Sequence, residues 1–281
     1  MALAKHETIQ KLARSVGLKV SPRRGQNFLI DYDVLEDIVS AAHLRREDRI
    51  VEIGPGFGIL TERLAQGSSH VLAIELDTTL YTYLSDRFGQ NENITIVNRD
   101  VMSISNEEIA TMCGPDEAYR VIANIPYQIT GKIVKKFVSD TGPKPKDMLM
   151  LVQKEVAERI CAQPGKLSLL GISVQLYAKP EIVRKVQRTA FWPEPRVDST
   201  LLYIGNIQEK STYPIQDMEG FWRLLRIGFS SPRKKLSHNL ASGIDIQQRD
   251  AEELLKDLGL SEKVRAQELS IDDWVGLSRA L

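Results

Sequence analysis

The chain has 281 residues, of which 42% are hydrophobic and 26% are charged. These proportions are ordinary for a soluble globular protein and exclude a disordered or collagen-like chain. Because 37 basic residues balance 37 acidic ones, net charge alone does not indicate a nucleic-acid partner.

Cysteine and histidine are scarce. Cys113, Cys161 and the four histidines form no metal-ligand pattern, so we expect no metal and two reduced thiols. No apolar run is long enough to span a membrane, and the N-terminus lacks the apolar core of a secretory signal. The first residues are basic, but Glu7 and the scarcity of serine there argue against a mitochondrial address. We therefore expect a cytoplasmic protein that makes no membrane contact.

The predicted elements alternate between strand and helix. The first two dozen residues look helical and end at Ser21-Pro22. Short apolar runs then predict strands at 49–53, 70–75, 94–98, 120–123 and 148–152. Helical spacing follows at 59–65 and 80–88. This alternation predicts an α/β fold with a mostly parallel sheet that has helices on both faces.

The C-terminal part of the chain has a different character. Two predicted strands, 181–186 and 198–204, flank a proline-rich stretch and fit an antiparallel edge added to the sheet. After Gly205 the pattern predicts only short helices, near 221–229, 234–240, 251–258 and 271–281. We therefore predict a large α/β domain over residues 1–206 and a small all-α domain over residues 207–281.

A glycine-rich turn follows the first of the five strands, in the sequence VEIGPGFGILT from Val51 to Thr61. Gly54 and Gly56 would let the backbone approach a ligand closely, although such a turn can also be purely structural. The dinucleotide fingerprint has the spacing G-x-G-x-x-G and faces a pyrophosphate. Here the spacing is G-x-G-x-G, and the Glu52 carboxylate would repel pyrophosphate. A cofactor with a sulfonium and an ammonium group suits this site, which favours S-adenosylmethionine over NAD.

Two further acidic residues lie at the ends of the next strands. Glu75 ends the second strand, where a carboxylate can accept from both ribose hydroxyls. Asp100 follows the third strand, where it could accept from an adenine amino group. A solvated loop acid is the ordinary alternative for each, but carboxyl ends of parallel strands share one crevice. The three acids therefore predict one cofactor site.

The fourth strand leads into Asn124-Ile125-Pro126-Tyr127. An aromatic amine such as adenine N6 is a poor nucleophile because its lone pair is delocalised. The Asn124 amide oxygen and a backbone carbonyl stiffened by Pro126 could accept its two N–H bonds and favour a more pyramidal nitrogen. The Tyr127 ring could stack on an extruded base. An ordinary β-turn is the alternative for this tetrapeptide alone.

Together these segments resemble the ribosomal RNA adenine dimethyltransferase family, whose sister branch is the macrolide-resistance rRNA methylases. Further matching segments are 25–29 (GQNFL), 153–159 (QKEVAER) and 191–199 (FWPEPRVDS). The resemblance implies a Rossmann-like class I methyltransferase sheet with a small C-terminal helical domain. It also implies that the target adenine lies against Asn124, Tyr127 and Phe191. The implied cofactor contacts are Asn27, Leu29, Gly54, Glu75, Asp100 and Asn124.

The implied reaction is dimethylation of N6 on two adjacent adenines in a hairpin loop near the 3′ end of small-subunit (16S) rRNA, during ribosome biogenesis. One alternative is the resistance-type methylation of large-subunit rRNA. Another is a non-catalytic RNA-binding or assembly factor on the same fold, and a dehydrogenase is the weakest alternative. The length beyond residue 207 and the segment 191–199 favour the small-subunit branch.

We expect a monomer that grips the RNA backbone of the pre-small subunit through basic residues. An exposed, solvated helix face is the alternative for the lysines. In the basic segment at 229–236, Pro232 stands where the family usually has arginine, which concerns the RNA contact and not the chemistry. The candidate RNA-binding residues are Arg23, Arg24, Lys132, Lys135, Lys136, Arg233, Lys234 and Lys235.

Overall fold

A computed structural model describes residues 6–20, 25–114 and 118–281. The chain divides into two compact units. The first, here called the sheet unit, comprises residues 1–157 and 178–209, and the second, the helical unit, comprises residues 158–177 and 210–281.

The strands of the sheet unit, in chain order, are β1 Phe28–Leu29, β2 Arg49–Ile53, β3 His70–Glu75, β4 Ile94–Asn98, β5 Arg120–Asn124, β6 Met148–Gln153, β7 Lys179–Val186, β8 Phe191–Trp192 and β9 Ser199–Gly205. Seven of them form one mixed sheet in the order β4-β3-β2-β5-β6-β9-β7, and β1 and β8 form a separate antiparallel ribbon. The first five strands of this order are parallel, and β9 runs antiparallel to both β6 and β7. The predicted α/β sheet, mostly parallel with an antiparallel addition at one edge, is therefore confirmed.

Helices connect the strands, and several begin at a side-chain cap. Asp31 and Asp77 each accept two backbone N–H bonds in the first turn of α2 and α4, which satisfies groups that have no partner inside the helix. The helices in chain order are α1 His6–Ser15, α2 Tyr32–Ala42, α3 Ile59–Gly67, α4 Thr78–Phe88, α5 Asn106–Cys113, α6 Thr130–Val138, α7 Lys154–Ile160, α8 Leu169–Gln175, α9 Met218–Gly228, α10 Leu236–Ile244, α11 Gln248–Asp257 and α12 Ile271–Ala280.

The core of the sheet unit lies on both faces of the sheet. Successive residues of a strand point to opposite faces, and neighbours such as Ile50 and Val51 are both fully buried. On one face, Ile50 and Ile122 pack with Leu35 of α2 and Leu64 of α3. Each fully buried aliphatic side chain of this kind contributes roughly 1.5–3 kcal/mol of hydrophobic free energy.

An ion-pair network crosses the amino-terminal ends of the parallel strands. The Arg120 guanidinium bonds to Asp48 at 2.9 Å and to Asp147 at 2.8 Å, and Arg120 and Asp48 are both buried. Each carboxylate offsets the cost of burying the guanidinium charge. This network fixes the end of the sheet opposite the carboxyl ends of the strands.

On one side of the β2–β5 pair the neighbouring strands are β3 and β4, and on the other side the next strand is β6, so the chain builds the sheet outward in opposite directions from this point. In open α/β sheets such a switch point leaves a crevice outside the carboxyl ends of the two strands. The glycine turn lies there, and Gly58 at its end has φ +74°, where an added Cβ would lie only 2.5 Å from the Phe88 ring. Only glycine fits this start of α3.

The helical unit has its own core, in which Trp274, Phe221 and Leu240 are fully buried. It also contains residues 158–177, which the sequence analysis assigned to the larger domain. Backbone bonds explain their place: the Gln267 carbonyl accepts from Gly165 at 2.9 Å and from Leu167 at 3.1 Å. The Leu176 carbonyl accepts from Thr212 in the same way. The helical unit is thus discontinuous in sequence.

Candidate active site

One crevice of the sheet unit, at the switch point between β2 and β5, is formed by three stretches of chain. These are residues 25–29, the glycine turn after β2 and residues 124–127 after β5. A Cβ added at Gly54 would lie 3.7 Å from the Pro126 ring, so the glycine turn and the tetrapeptide nearly touch. The predicted site residues that line this crevice are Asn27, Leu29, Gly54, Gly56, Glu75, Asn124 and Tyr127.

Glu75 at the end of β3 is buried and held by two backbone groups. Gly56 N–H donates to its Oε2 at 3.3 Å, and Asp77 N–H donates to its Oε1 at 2.8 Å. Burial raises the pKa of Glu75 to about 7, although these bonds to the carboxylate lower it. The side chain is therefore fixed in orientation and gains or loses its proton near neutral pH.

Glu52 lies one residue before the end of β2, with 1% of its surface exposed, and lines the same crevice. Within the described residues its Oε2 has no hydrogen-bond partner. Burial raises the pKa of Glu52 to about 8, the Thr61 hydroxyl lowers it, and the Glu75 charge raises it again. A buried carboxyl oxygen without a partner is costly, and its charged form is costlier still, unless a ligand supplies a partner. A cationic group in the crevice would satisfy it, so the residues present fit a sulfonium- and ammonium-bearing cofactor.

Asn124 ends β5, and its side-chain amide has a defined orientation. Its Nδ2 donates to the Asn27 carbonyl at 3.0 Å, and the Asn27 Nδ2 donates in turn to the Gly25 carbonyl at 3.2 Å. Because a carbonyl can only accept, the Asn124 nitrogen must face Asn27 and its Oδ1 is left to accept from another group. The amide oxygen required by the predicted chemistry is therefore available in the crevice.

Tyr127 begins a short 3-10 turn, 127–129, directly after Pro126. Its ring is half-buried, and its hydroxyl lies 2.6 Å from the Ser199 hydroxyl on β9. Burial raises the pKa of Tyr127, so the phenol stays protonated at neutral pH. Tyr127 thus lines the same crevice as Asn124, and its hydroxyl end is held by the sheet.

Two predicted site residues do not face the crevice. Asp100 is exposed and is not among the lining residues; its Oδ1 accepts from Met102 N–H at 2.8 Å and so caps a short turn. Phe191 is fully buried in the hydrophobic core with Leu29 and Leu201. A ring buried this deeply is not accessible to a base in this conformation. Phe191 lies on β8, where it pairs with Leu29 of β1.

The candidate RNA-binding residues fall into separate parts of the molecule. Arg23 and Arg24 lie outside the described residues. Lys132 and Lys135 are exposed on α6, and residues 233–235 are exposed in the helical unit, where Lys235 precedes α10. Lys136 corrects the prediction: it is buried, and its Nζ donates to the Ile104 carbonyl at 2.5 Å. It cannot contact RNA there.

Sequence reasoning missed several residues near the strand ends. Leu76 and Met102 are large apolar side chains with 66% and 38% exposure, directly after Glu75 and close after Asp100. The Asn98 amide donates to the carbonyls of Glu75 and Leu76 at 2.9 and 3.2 Å and so orders that loop. For Leu76 the available signal was an apolar residue immediately after the strand-end acid Glu75, and Met102 had no such signal.

Among the described residues, no group of histidine, cysteine, aspartate or glutamate side chains is arranged to hold a metal ion. In the same ranges, no helix combines the length and apolar character needed to cross a bilayer. Cys113 is buried and Cys161 is half-buried, and neither forms a disulfide.

Comparison with known proteins agrees with this geometry. The ribosomal RNA adenine dimethylase family matches residues 17–281. The "Ribosomal RNA small subunit methyltransferase A" of Dehalococcoides mccartyi (strain CBDB1) is 37% identical over 257 residues, covering 92% of this chain and 87% of that protein. The protein of the same name from Clostridioides difficile (strain 630) is 34% identical over 281 residues, covering 99% and 96%.

Two solved structures are similar over most of their length. A dimethyladenosine transferase from Plasmodium falciparum has TM-score 0.71 and 26% identity, covering 89% of this chain and 95% of that one. The 23S rRNA methyltransferase ErmE has TM-score 0.70 and 25% identity, covering 91% and 99%. The sheet and its crevice therefore define a class I methyltransferase. More particularly, the chain belongs to the ribosomal RNA adenine dimethylase family.

Proposed function

We propose that this enzyme uses S-adenosylmethionine to dimethylate N6 of two adjacent adenines in a 3′-terminal hairpin loop of small-subunit rRNA, during assembly of the subunit. The observation that carries the proposal is the Asn124 amide. Its nitrogen is fixed on the Asn27 carbonyl, which leaves its oxygen to accept from an amino group in the crevice.

The crevice residues have distinct parts in holding the cofactor, which supplies an electrophilic methyl group when bound. Glu75 would accept hydrogen bonds from the ribose hydroxyls, and the backbone at Gly54 and Gly56, which lines the same crevice, would allow the cofactor to lie close to the turn. Glu52 offers its partnerless carboxylate oxygen to a cationic group. Asn27 and Leu29 complete the lining of the crevice. Asp100 remains the candidate for the adenine amino group; it is exposed, and its Oδ1 caps a short turn.

The residues after β5 hold and orient the base. Asn124 Oδ1 and a carbonyl of the Ile125-Pro126 turn line the crevice and would accept the two amino hydrogens, which would leave the nitrogen lone pair free for the methyl group. We assign base stacking to Tyr127, because Phe191 is buried. No strong general base is needed, since the methylated ammonium loses its proton readily to water. Catalysis rests on positioning and alignment.

We infer the RNA substrate from the relatives of this chain. The curated relatives over nearly the whole chain are named for the small ribosomal subunit. The similarity to ErmE supports a shared fold and chemistry, and large-subunit rRNA therefore serves as the comparison substrate. A chain with this substrate would act where ribosomes assemble, which we expect to be the cytoplasm, and we expect it to act as a monomer.

RNA contact is assigned to basic residues outside the crevice. We propose that residues 1–206 bind cofactor and base and that residues 207–281 contact RNA through Arg233, Lys234 and Lys235, which are exposed. Lys132 on the sheet unit would join them, together with Arg23 and Arg24. Such phosphate contacts position the RNA without reading its sequence.

Methyl transfer to defined RNAs tests the proposal. The protein and methyl-labelled S-adenosylmethionine are incubated with unmodified small subunits or with large-subunit rRNA, and the nucleosides are analysed by mass spectrometry. We expect dimethyladenosine from the small subunit alone. Methylated adenine only in large-subunit rRNA would move the enzyme to the resistance branch. Tight cofactor binding with transfer to neither RNA would favour a non-catalytic assembly role.

A variant pair separates chemistry from folding. Asn124→Ala removes the amide and should lower kcat about a hundredfold or more, with cofactor affinity changed far less. Asn93→Ala is the matched control, because the Asn93 Nδ2 also donates to a backbone carbonyl, that of Ala65 at 2.8 Å, away from the crevice. Equal activity in the two variants would contradict the role given to Asn124.

A further inference from the structure

The hydroxyl of Ser199 makes a contact that the proposed chemistry does not explain. Ser199 is the first residue of β9 and is fully buried. Its Oγ lies 2.6 Å from the Tyr127 hydroxyl, 72 positions earlier in the chain, and one hydroxyl donates to the other. This short contact links the sheet to the only aromatic side chain of the tetrapeptide.

Ser199 is rigidly held on its own side. In the sheet it stands between Gln153 of β6 and Val186 of β7. The preceding residue is fixed as well: the Asp198 carbonyl accepts from Lys154 N–H at 3.0 Å, and its carboxylate accepts from Arg188 N–H at 3.1 Å. The Ser199 hydroxyl is therefore a fixed point at the edge of the active crevice.

Tyr127, by contrast, is carried by a single short turn. Its backbone is held by the Thr130 hydroxyl, which donates to the Tyr127 carbonyl at 3.3 Å. That bond fixes the backbone and leaves rotation about the side-chain bonds of the ring unconstrained. The contact with Ser199 is at the opposite end of the side chain, where it limits the swing of the ring. Because the phenolic O–H prefers to lie in the plane of the ring, the direction of the hydrogen bond also favours one tilt.

We infer that Ser199 is a positioning residue that holds the Tyr127 ring in the plane on which the target adenine rests. This inference rests on the base-stacking role proposed for Tyr127. Asn124 and the cofactor residues are untouched by the contact, so its loss lowers the rate of the aligned reaction and leaves cofactor binding intact. The segment 191–199 thus contributes to the site through its last residue.

The test uses both sides of the contact. Ser199→Ala and Tyr127→Phe each remove it, and each should lower kcat roughly three- to tenfold, the fold-change expected for one hydrogen bond. The affinity for S-adenosylhomocysteine should not change. The double variant should be no slower than the slower single variant, because both changes remove the same interaction. Ser199→Thr keeps the hydroxyl and should restore most of the rate.

Thr200→Val is the matched control. Thr200 is the next residue on β9 and is 1% exposed, and its hydroxyl has no hydrogen-bond partner among the described residues. Its replacement by an isosteric side chain should leave kcat unchanged. Tyr127→Phe alters no residue of the sheet, so it tests the contact even where Ser199→Ala lowers stability.

A second readout does not depend on turnover. Tyrosine labelled with carbon-13 at Cζ gives one resonance for each of the eight tyrosines, and Tyr127→Phe identifies the relevant one. Ser199→Ala should shift and broaden that resonance. An unchanged resonance together with wild-type kcat, or rate losses that multiply in the double variant, would overturn the inference. Failure of the proposed function is distinguishable, because then the wild-type chain itself would transfer no methyl group to the small subunit.

Discussion

Replacing Glu52 by glutamine should stabilise the protein at alkaline pH and weaken its hold on the cofactor. Burial raises the pKa of this carboxyl from its ordinary 4.5 to about 8. At about 1.4 kcal/mol per pKa unit, carrying the charge on Glu52 costs the folded state about 5 kcal/mol. Glutamine is nearly isosteric with the protonated acid and does not incur this cost.

The pH dependence follows from the direction of the shift. Between pH 4.5 and 8 the unfolded chain has released this proton while the folded chain still binds it. The contribution of Glu52 to the free energy of unfolding therefore falls as pH rises through that window and is constant above it. Thermal midpoints of Glu52→Gln and of the wild-type chain should nearly coincide at pH 5. The variant should be clearly more stable at pH 8.5.

Cofactor binding should show the opposite preference. A cationic group beside Glu52 favours the carboxylate, so binding near pH 7 should release a proton from it. Calorimetry in buffers of different ionisation enthalpy would detect that release in the wild-type chain, and it should be smaller in Glu52→Gln, with affinity about tenfold or more weaker. The exposed Glu92 provides a control, since Glu92→Gln removes the same charge at the surface. The reasoning is refuted if Glu52→Gln shows neither the alkaline stabilisation nor the loss of affinity.

Three further predictions concern folding and RNA contact. Phe191→Ala should destabilise the protein by about 3–5 kcal/mol, measured in urea, because the ring is fully buried; a loss below 1 kcal/mol would contradict its place in the core. Arg120→Ala should cost about 3–5 kcal/mol, because Asp48 and Asp147 lose their buried partner, and removing all three charges together should cost less than the single change. Changing residues 233–235 to glutamine should weaken RNA binding and reduce its salt slope by about 2, at roughly 0.7 for each phosphate contact on single-stranded RNA, and an unchanged slope would exclude them from the interface.

Much of the sheet was predictable because each buried strand is a short apolar run bounded by glycine or polar residues. The run predicted at 120–123 is the strand Arg120–Asn124, one residue longer. Long-range pairing was less accessible. No local pattern indicates that β9 enters the sheet between β6 and β7, or that residues 158–177 bond to Gln267 a hundred positions later.

Lys136 shows what helical periodicity cannot decide. In α6 the buried apolar positions are Ile133, Val134, Phe137 and Val138, which form one face of the helix. Lys132 lies opposite that face, whereas Lys135 and Lys136 are each about 130° from its centre, at about 100° per residue. Only the fold distinguishes these two lysines, because Lys135 is exposed and the Lys136 amine donates to the Ile104 carbonyl.

The candidate site divides in the same way between chemistry and support. Residue types and strand ends indicated Asn124, Glu75 and Tyr127, because their chemistry can be argued from one short segment at a time. The groups that orient them come from distant segments: the Asn27 carbonyl is 97 positions from Asn124, and Ser199 is 72 from Tyr127. A supporting contact needs only a backbone carbonyl, which every residue has, or a hydroxyl, which every serine has. Sequence reasoning therefore finds the groups that act on the substrate more readily than the groups that hold them, and the holding groups must be taken from the fold.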